Sequence, residues 1–113
     1  MSNKVNKLSE TIAAQASAQG VSGISVIRVS GDKSKTIAKK VTGKTLLHMK
    51  AQHTDFLDSD GAVIDSVIVL FFASPASYTG EDVLEISCHG STAVVDEILK
   101  TLYEQGARQA NAG

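Results

Sequence analysis

The sequence predicts an α+β fold, a single domain in which one mixed β-sheet packs with two to three helices. Three observations lead there. Several segments carry alternating or β-branched apolar residues at hairpin-like spacing. Two others carry a helical stripe instead. The 113 residues suffice for one modest core. Hairpins mixed with helices favour a mixed sheet over a doubly wound parallel one.

Residues 1–9 are polar, read as a flexible tail and lack the apolar stretch of a secretory signal, so the domain is residues 10–113. Thr11 to Ala16 is a short strand, and Gln19 to Gly23 a glycine-bounded turn. Ile24 to Ser30 is a stronger strand. It sets Ile24, Val26 and Arg28 on one face and Ser25, Ile27 and Val29 on the other. Asp32 is a candidate N-cap for a helix from Lys33 to Thr42, where Ile37 and Val41 pair at i, i+4 and Gly43 is the stop. Met49 to Leu57 is a weaker strand, followed by a turn at Asp58-Ser59-Asp60-Gly61. The near-continuous apolar run from Val63 to Phe72 predicts a central strand buried on both faces, ended by Pro75. Asp82 to Cys88 is the next strand. The helix from Ser91 to Gln105 has its stripe at Val94, Val95, Ile98, Leu99, Leu102 and Tyr103, with Gly106 as its cap. A last strand can start at Ala107.

Composition narrows the function. Hydrophobic residues at 42% and charged residues at 20% describe a globular chain. A single cysteine excludes an internal disulfide framework. The longest apolar run, Val67 to Ala73, is far short of a membrane span, so a cytoplasmic protein without membrane contact is expected. The net charge of −1 argues against a dedicated nucleic-acid binder. Charge is nevertheless segregated. Six lysines (33, 35, 39, 40, 44 and 50) and no acid occupy residues 33–50, whereas residues 55–104 hold ten acids and only Lys100. The basic run reads either as a solvated helix face or as a surface for phosphate or a folate glutamate tail.

Four groups of residues are chemical candidates. Ala38-Lys39-Lys40-Val41-Thr42-Gly43-Lys44-Thr45 nearly spells a phosphate-binding loop, but Ala38 replaces the first glycine and the segment follows a helix rather than a strand. Cys88 and His89 are adjacent on a strand, so they point to opposite faces and make no nucleophile–base pair. Glu85 lies mid-strand on a face with Val83 and Ser87. It is either an ordinary solvent-facing acid or a planar acceptor for a ligand edge with two parallel donors, as a pterin offers. Arg28 has apolar neighbours on both sides and calls for a partner, whether a carboxylate, a ligand oxygen or an acid across a subunit interface. The loop from Ser77 to Glu81 adds hydroxyls and a flexible glycine, with Tyr78, Thr79 and Gly80 as further binding candidates.

The run Ser77-Tyr78-Thr79-Gly80-Glu81-Asp82-Val83-Leu84-Glu85, together with Ile27-Arg28-Val29-Ser30-Gly31, Asp60-Gly61 with Asp65, and His89-Gly90, resembles the N-terminal domain of the bacterial tRNA-modification GTPases, the MnmE/TrmE family. The resemblance covers about residues 10–113. It implies a fold similar to the folate-binding fold of the glycine-cleavage T-protein, a homodimer, and binding of 5-formyltetrahydrofolate or a related tetrahydrofolate, with the family's folate-contacting arginine and glutamate falling on Arg28 and Glu85. It also implies a parent GTP hydrolase, whose GTPase domain uses GTP, Mg and K. With a FAD-dependent partner protein, that parent modifies C5 of wobble uridine in tRNA. Three departures stand out. Ala18 to Gly23 lacks the basic side chain of the family's turn, Ser91 follows His89-Gly90 in place of a second glycine and can instead cap the last helix, and the sequence stops at Gly113 before any helical or GTPase domain. This chain is therefore expected to be non-catalytic. A dimerisation-only module and a stand-alone one-carbon enzyme like the T-protein are the alternatives.

Overall fold

The computed structural model describes residues 10–16, 23–77 and 79–110. The tail at 1–9, most of the turn before Gly23, and Tyr78 lie outside the described residues. Eight elements follow in order: β1 (Ile12–Gln15), β2 (Ile24–Ser30), α1 (Ser34–Thr42), β3 (Gln52–Leu57), β4 (Val63–Phe72), β5 (Val83–His89), α2 (Thr92–Glu104) and β6 (Arg108–Gln109). The strands form one sheet in the order β3-β4-β5-β2-β1-β6. Neighbours are antiparallel except β6, which runs parallel to β1. The sheet is thus mixed and the domain α+β, as the sequence predicts.

The core lies on one side of the sheet. Ile37, Ala38 and Val41 of α1 and Val95, Ile98 and Leu102 of α2 form a single cluster with Ile27, Val29, Val67, Val69, Leu84 and Ile86. The register follows from it. Ile27 stands opposite Ile86 and Val29 opposite Leu84. A slip of one residue would turn all four to the other face, and each large apolar side chain is worth about 1.5–3 kcal/mol when buried. Among the described residues, the second face of the sheet carries no helix. Ser66 and Ile68 are exposed there, and Val26, Arg28, Leu70, Phe72 and Glu85 are half-buried.

Several elements differ from expectation. β4 is not buried on both faces, because it is next to the edge strand β3 and its outward residues meet no helix among the described residues. Its outward apolar residues made the run look continuous. β3 starts at Gln52 rather than Met49, which has φ 58° and donates its N–H to the Phe71 carbonyl beyond the regular pairing. Asp32 does not cap α1. Lys33 is the cap position and makes no side-chain cap bond. Its N–H instead donates to Thr11 Oγ1 at 2.9 Å, so the first strand's entry residue satisfies a helix-end donor. At α2 the expected chemistry is present, with Ser91 Oγ accepting from the Val94 N–H.

Candidate functional site

Residues that alternate with the core strand positions face away from the helices. That alternation puts Arg28 and Glu85 on the second face, away from α1 and α2. The same register that pairs Ile27 with Ile86 pairs Arg28 with Glu85. Their side chains meet across the strands, with Arg28 Nε donating to Glu85 Oε2 at 2.8 Å. The Arg28 side chain is 41% exposed and that of Glu85 22%. Small Ala14 lies beside Arg28 on β1, and Leu70 lies beside Glu85 on β4. The result is a charged pair set into a partly apolar surface. The Arg28 partner expected from sequence is the carboxylate of Glu85.

The loop before β5 reaches the same end of the face. Ser30, two residues beyond Arg28, bonds to Thr79 Oγ1 at 3.1 Å and donates to Glu81 Oε1 at 3.3 Å. Ser77 Oγ donates to the Glu81 carbonyl, and the Gly80 N–H donates to the Ser77 carbonyl at 3.1 Å with φ 79° at the glycine. Thr79 and Gly80 are thereby tethered next to the strand that carries Arg28. Tyr78 is not among the described residues.

Sequence reasoning missed one arrangement. Asp65 of β4 accepts the His89 backbone N–H at 2.9 Å through Oδ2 and contacts His89 Nδ1 at 2.7 Å through Oδ1. The Asp65 side chain is only 10% exposed, against 70% for His89. Burial pushes the Asp65 carboxyl upward, but the bonds from His89 and the Ser66 backbone N–H, with the His89 charge, together outweigh it and hold the group below its ordinary value. An acid inside an otherwise apolar run was the available signal. His53, further along the sheet, contacts Ser66 Oγ through Nε2 at 2.7 Å. No cluster of metal-ligating side chains occurs among the described residues.

Two other sequence candidates resolve structurally. Cys88 lies in the core, its thiol raised to about 11 by burial and by the nearby Asp65 charge, with Sγ donating to the Ser25 carbonyl at 3.6 Å. Gly43, in the loop-like 38–45 segment, is the C-cap of α1 with φ 71°, and its N–H donates to the Lys39 carbonyl. That N–H is turned back into the helix rather than toward a phosphate. The lysines of α1 sit on the helix side of the sheet, so the sheet stands between them and the Arg28–Glu85 pair.

The family described as GTP-binding protein TrmE N-terminus matches residues 11–113. The chain belongs to that family. Among curated relatives, tRNA modification GTPase MnmE of Coxiella burnetii is 51% identical over 104 residues, covering 92% of this chain and 23% of the relative. The proteins of the same name from Neisseria meningitidis serogroup B and Xylella fastidiosa are 48% and 45% identical, covering 91% and 100% of this chain. The chain spans about a quarter of the length of the curated relatives it matches. As a TrmE N-terminal domain it carries a cross-strand ion pair on the sheet face away from α1 and α2. No helix among the described residues is long and apolar enough to cross a membrane.

Proposed function

We propose that this chain is the folate-binding and dimerisation domain of a cytoplasmic GTPase that modifies C5 of wobble uridine in tRNA, acting with a FAD-dependent partner protein. The domain, residues 10–113, holds the one-carbon donor, 5-formyltetrahydrofolate or a related tetrahydrofolate. GTP, Mg and K belong to the GTPase portion of the whole protein, and this chain is non-catalytic.

The observation that carries the reading is the Arg28–Glu85 pair on the sheet face away from α1 and α2. The Glu85 side chain makes one hydrogen bond among the described residues, through Oε2. Oε1 and the remaining lone pairs can accept the two parallel donors of a pterin edge. Arg28 orients the carboxylate and adds a positive charge beside a ligand oxygen. Thr79 and Gly80 lie at the margin of the same surface, and Tyr78 precedes them in the loop.

A dimerisation-only module is the second reading. It is favoured by the exposed Ile24 and Ile68 on strands of that face, which a second copy would cover. Calorimetric titration with 5-formyltetrahydrofolate separates the two readings. Saturable heat lost in Glu85→Ala supports folate binding, whereas no heat with a dimer in sedimentation leaves only the module. A monomer at high micromolar concentration that also gives no heat removes both.

A further inference from the structure

We propose that the cleft between α1 and the segment that follows it docks an amphipathic helix of a protein partner, one whose apolar ridge is flanked by aspartate or glutamate. This site lies on the other side of the sheet from Arg28 and Glu85, and the inference does not depend on folate binding.

The cleft holds about 600 Å³. Its floor is apolar, formed by buried Ala38 and Phe71 and half-buried Leu46, and its rim carries the exposed Lys35, Lys39 and Lys40. The apolar surface continues past the cleft, because Leu47 is 56% and Met49 61% exposed. Met49 is also the one described non-glycine residue with positive φ, at 58°. The tie of its N–H to the Phe71 carbonyl at 2.7 Å holds that conformation. A flexible thioether presented this way suits an adaptable apolar contact.

Charge decides the partner. No acid lies between Asp32 and Asp55. Among the described residues, Lys35, Lys39 and Lys40 make no ion pair. These rim lysines therefore have no counter-charge among the described residues, and we take the complement from a partner. A nucleic-acid backbone would match the lysines but not the apolar floor or Leu47 and Met49. An amphipathic helix uses both, with residues at i, i+3, i+4 and i+7 on the floor and acids against the rim. No acid borders the cleft to oppose them.

The test uses a labelled synthetic helix of about four turns, with a leucine ridge and glutamate flanks, read by fluorescence anisotropy. Two control peptides carry lysine flanks or a serine ridge, and single-stranded poly(U) RNA is a third probe. Only the leucine–glutamate peptide should bind, and added salt should weaken it. Leu46→Ser and the double variant Lys39→Glu, Lys40→Glu should each weaken binding about tenfold or more, about 1.4 kcal/mol, with circular dichroism unchanged. The double variant should gain affinity for the lysine-flanked peptide, which damage to the fold would not produce. The proposal is overturned if the leucine–glutamate peptide does not saturate, if the serine-ridge peptide binds equally, or if RNA binds more tightly and ignores Leu46→Ser. That last result would mark a phosphate-binding face.

Discussion

Arg28 of β2 and Glu85 of β5 stand directly opposite each other, and their side chains close to 2.8 Å on the sheet face away from α1 and α2. The residues on either side, Ile27 with Ile86 and Val29 with Leu84, are fully buried on the opposite face. The core therefore fixes where the ion pair sits. The pair itself contributes little to stability, because an ion pair with a side chain two-fifths exposed is worth about 0–1 kcal/mol. A structural and a binding role can then be separated by experiment.

Glu85→Gln and Glu85→Ala should leave the fold intact and change the melting temperature by only a few degrees, about 4–8 °C per kcal/mol for a domain of this size. Both should weaken 5-formyltetrahydrofolate about tenfold or more, since an amide offers one acceptor oxygen where a carboxylate offers two. Calorimetry and thermal melts on the same samples decide it. Equal affinity in all three proteins, or unfolding of Glu85→Gln, would return Glu85 to an ordinary surface or structural acid.

Gly31 ends β2 with φ 138° against the entry to β1. A Cβ there would lie 2.6 Å from both Thr11 Cα and Oγ1, and 2.7 Å from the Glu10 carbonyl. Two of the three obstacles are backbone, so side-chain movement cannot relieve them. Gly31→Ala should cost about 2–4 kcal/mol, from strain and from displacement of the Thr11 bond to Lys33. Gly23→Ala is the control, because nothing lies within 4 Å of its Cβ position. Similar urea midpoints for the two variants would contradict the account.

Much of this architecture was legible because local pattern and tertiary role agree. The alternation in Ile24 to Ser30 places Arg28 on the face opposite Ile27, and Ser91 has the chemistry of a helix cap. The errors arose where a tertiary contact decided. Asp32 has the right chemistry for an N-cap, but the helix starts one residue later, with Lys33 in the cap position held by Thr11 Oγ1 from twenty-two positions away, and the Ser34 N–H goes to the Gly31 carbonyl. β4 looked buried on both faces because an apolar residue facing an open sheet surface is indistinguishable in sequence from one facing a helix. The Arg28–Glu85 contact spans fifty-seven positions and depends on which strands are neighbours. Pattern alone does not give that order, although family resemblance had already singled out the same two residues. Asp65 went without a role because its partner His89 is joined to it only by the β4–β5 pairing.

Cys88 should behave as an inert core residue. Its thiol is raised to about 11, mainly by burial, and the side chain is almost fully covered. At pH 8 roughly one molecule in a thousand would carry the thiolate, even with free access. Reaction with a chromogenic disulfide reagent should be orders of magnitude slower in native protein than in urea-unfolded protein. Cys88→Ala should cost about 1 kcal/mol or somewhat more, as a small buried apolar truncation. A native thiol that reacts as fast as the unfolded one would show that the β5 end opens readily.

The Asp65–His89 contact predicts a specific acid limb in stability. The Asp65 carboxyl is held below its ordinary value in the folded state. A depressed carboxyl contributes stability above the unfolded value, about 3.9 for aspartate, and loses it as pH falls through the lower folded value. The contribution should thus be complete at neutral pH and disappear below about pH 4. Asp65→Asn should lower stability at pH 7 by about 1 kcal/mol or more, through weakened bonds to the His89 N–H and ring. It should also flatten the fall in stability below pH 4. His89→Ala should cost less, because it keeps the backbone N–H bond and removes only a ring that is 70% exposed. Urea midpoints from pH 2 to 7 for the three proteins provide the check. Parallel curves for wild type and Asp65→Asn, or a larger loss in His89→Ala, would show that the carboxylate does not anchor the end of β5.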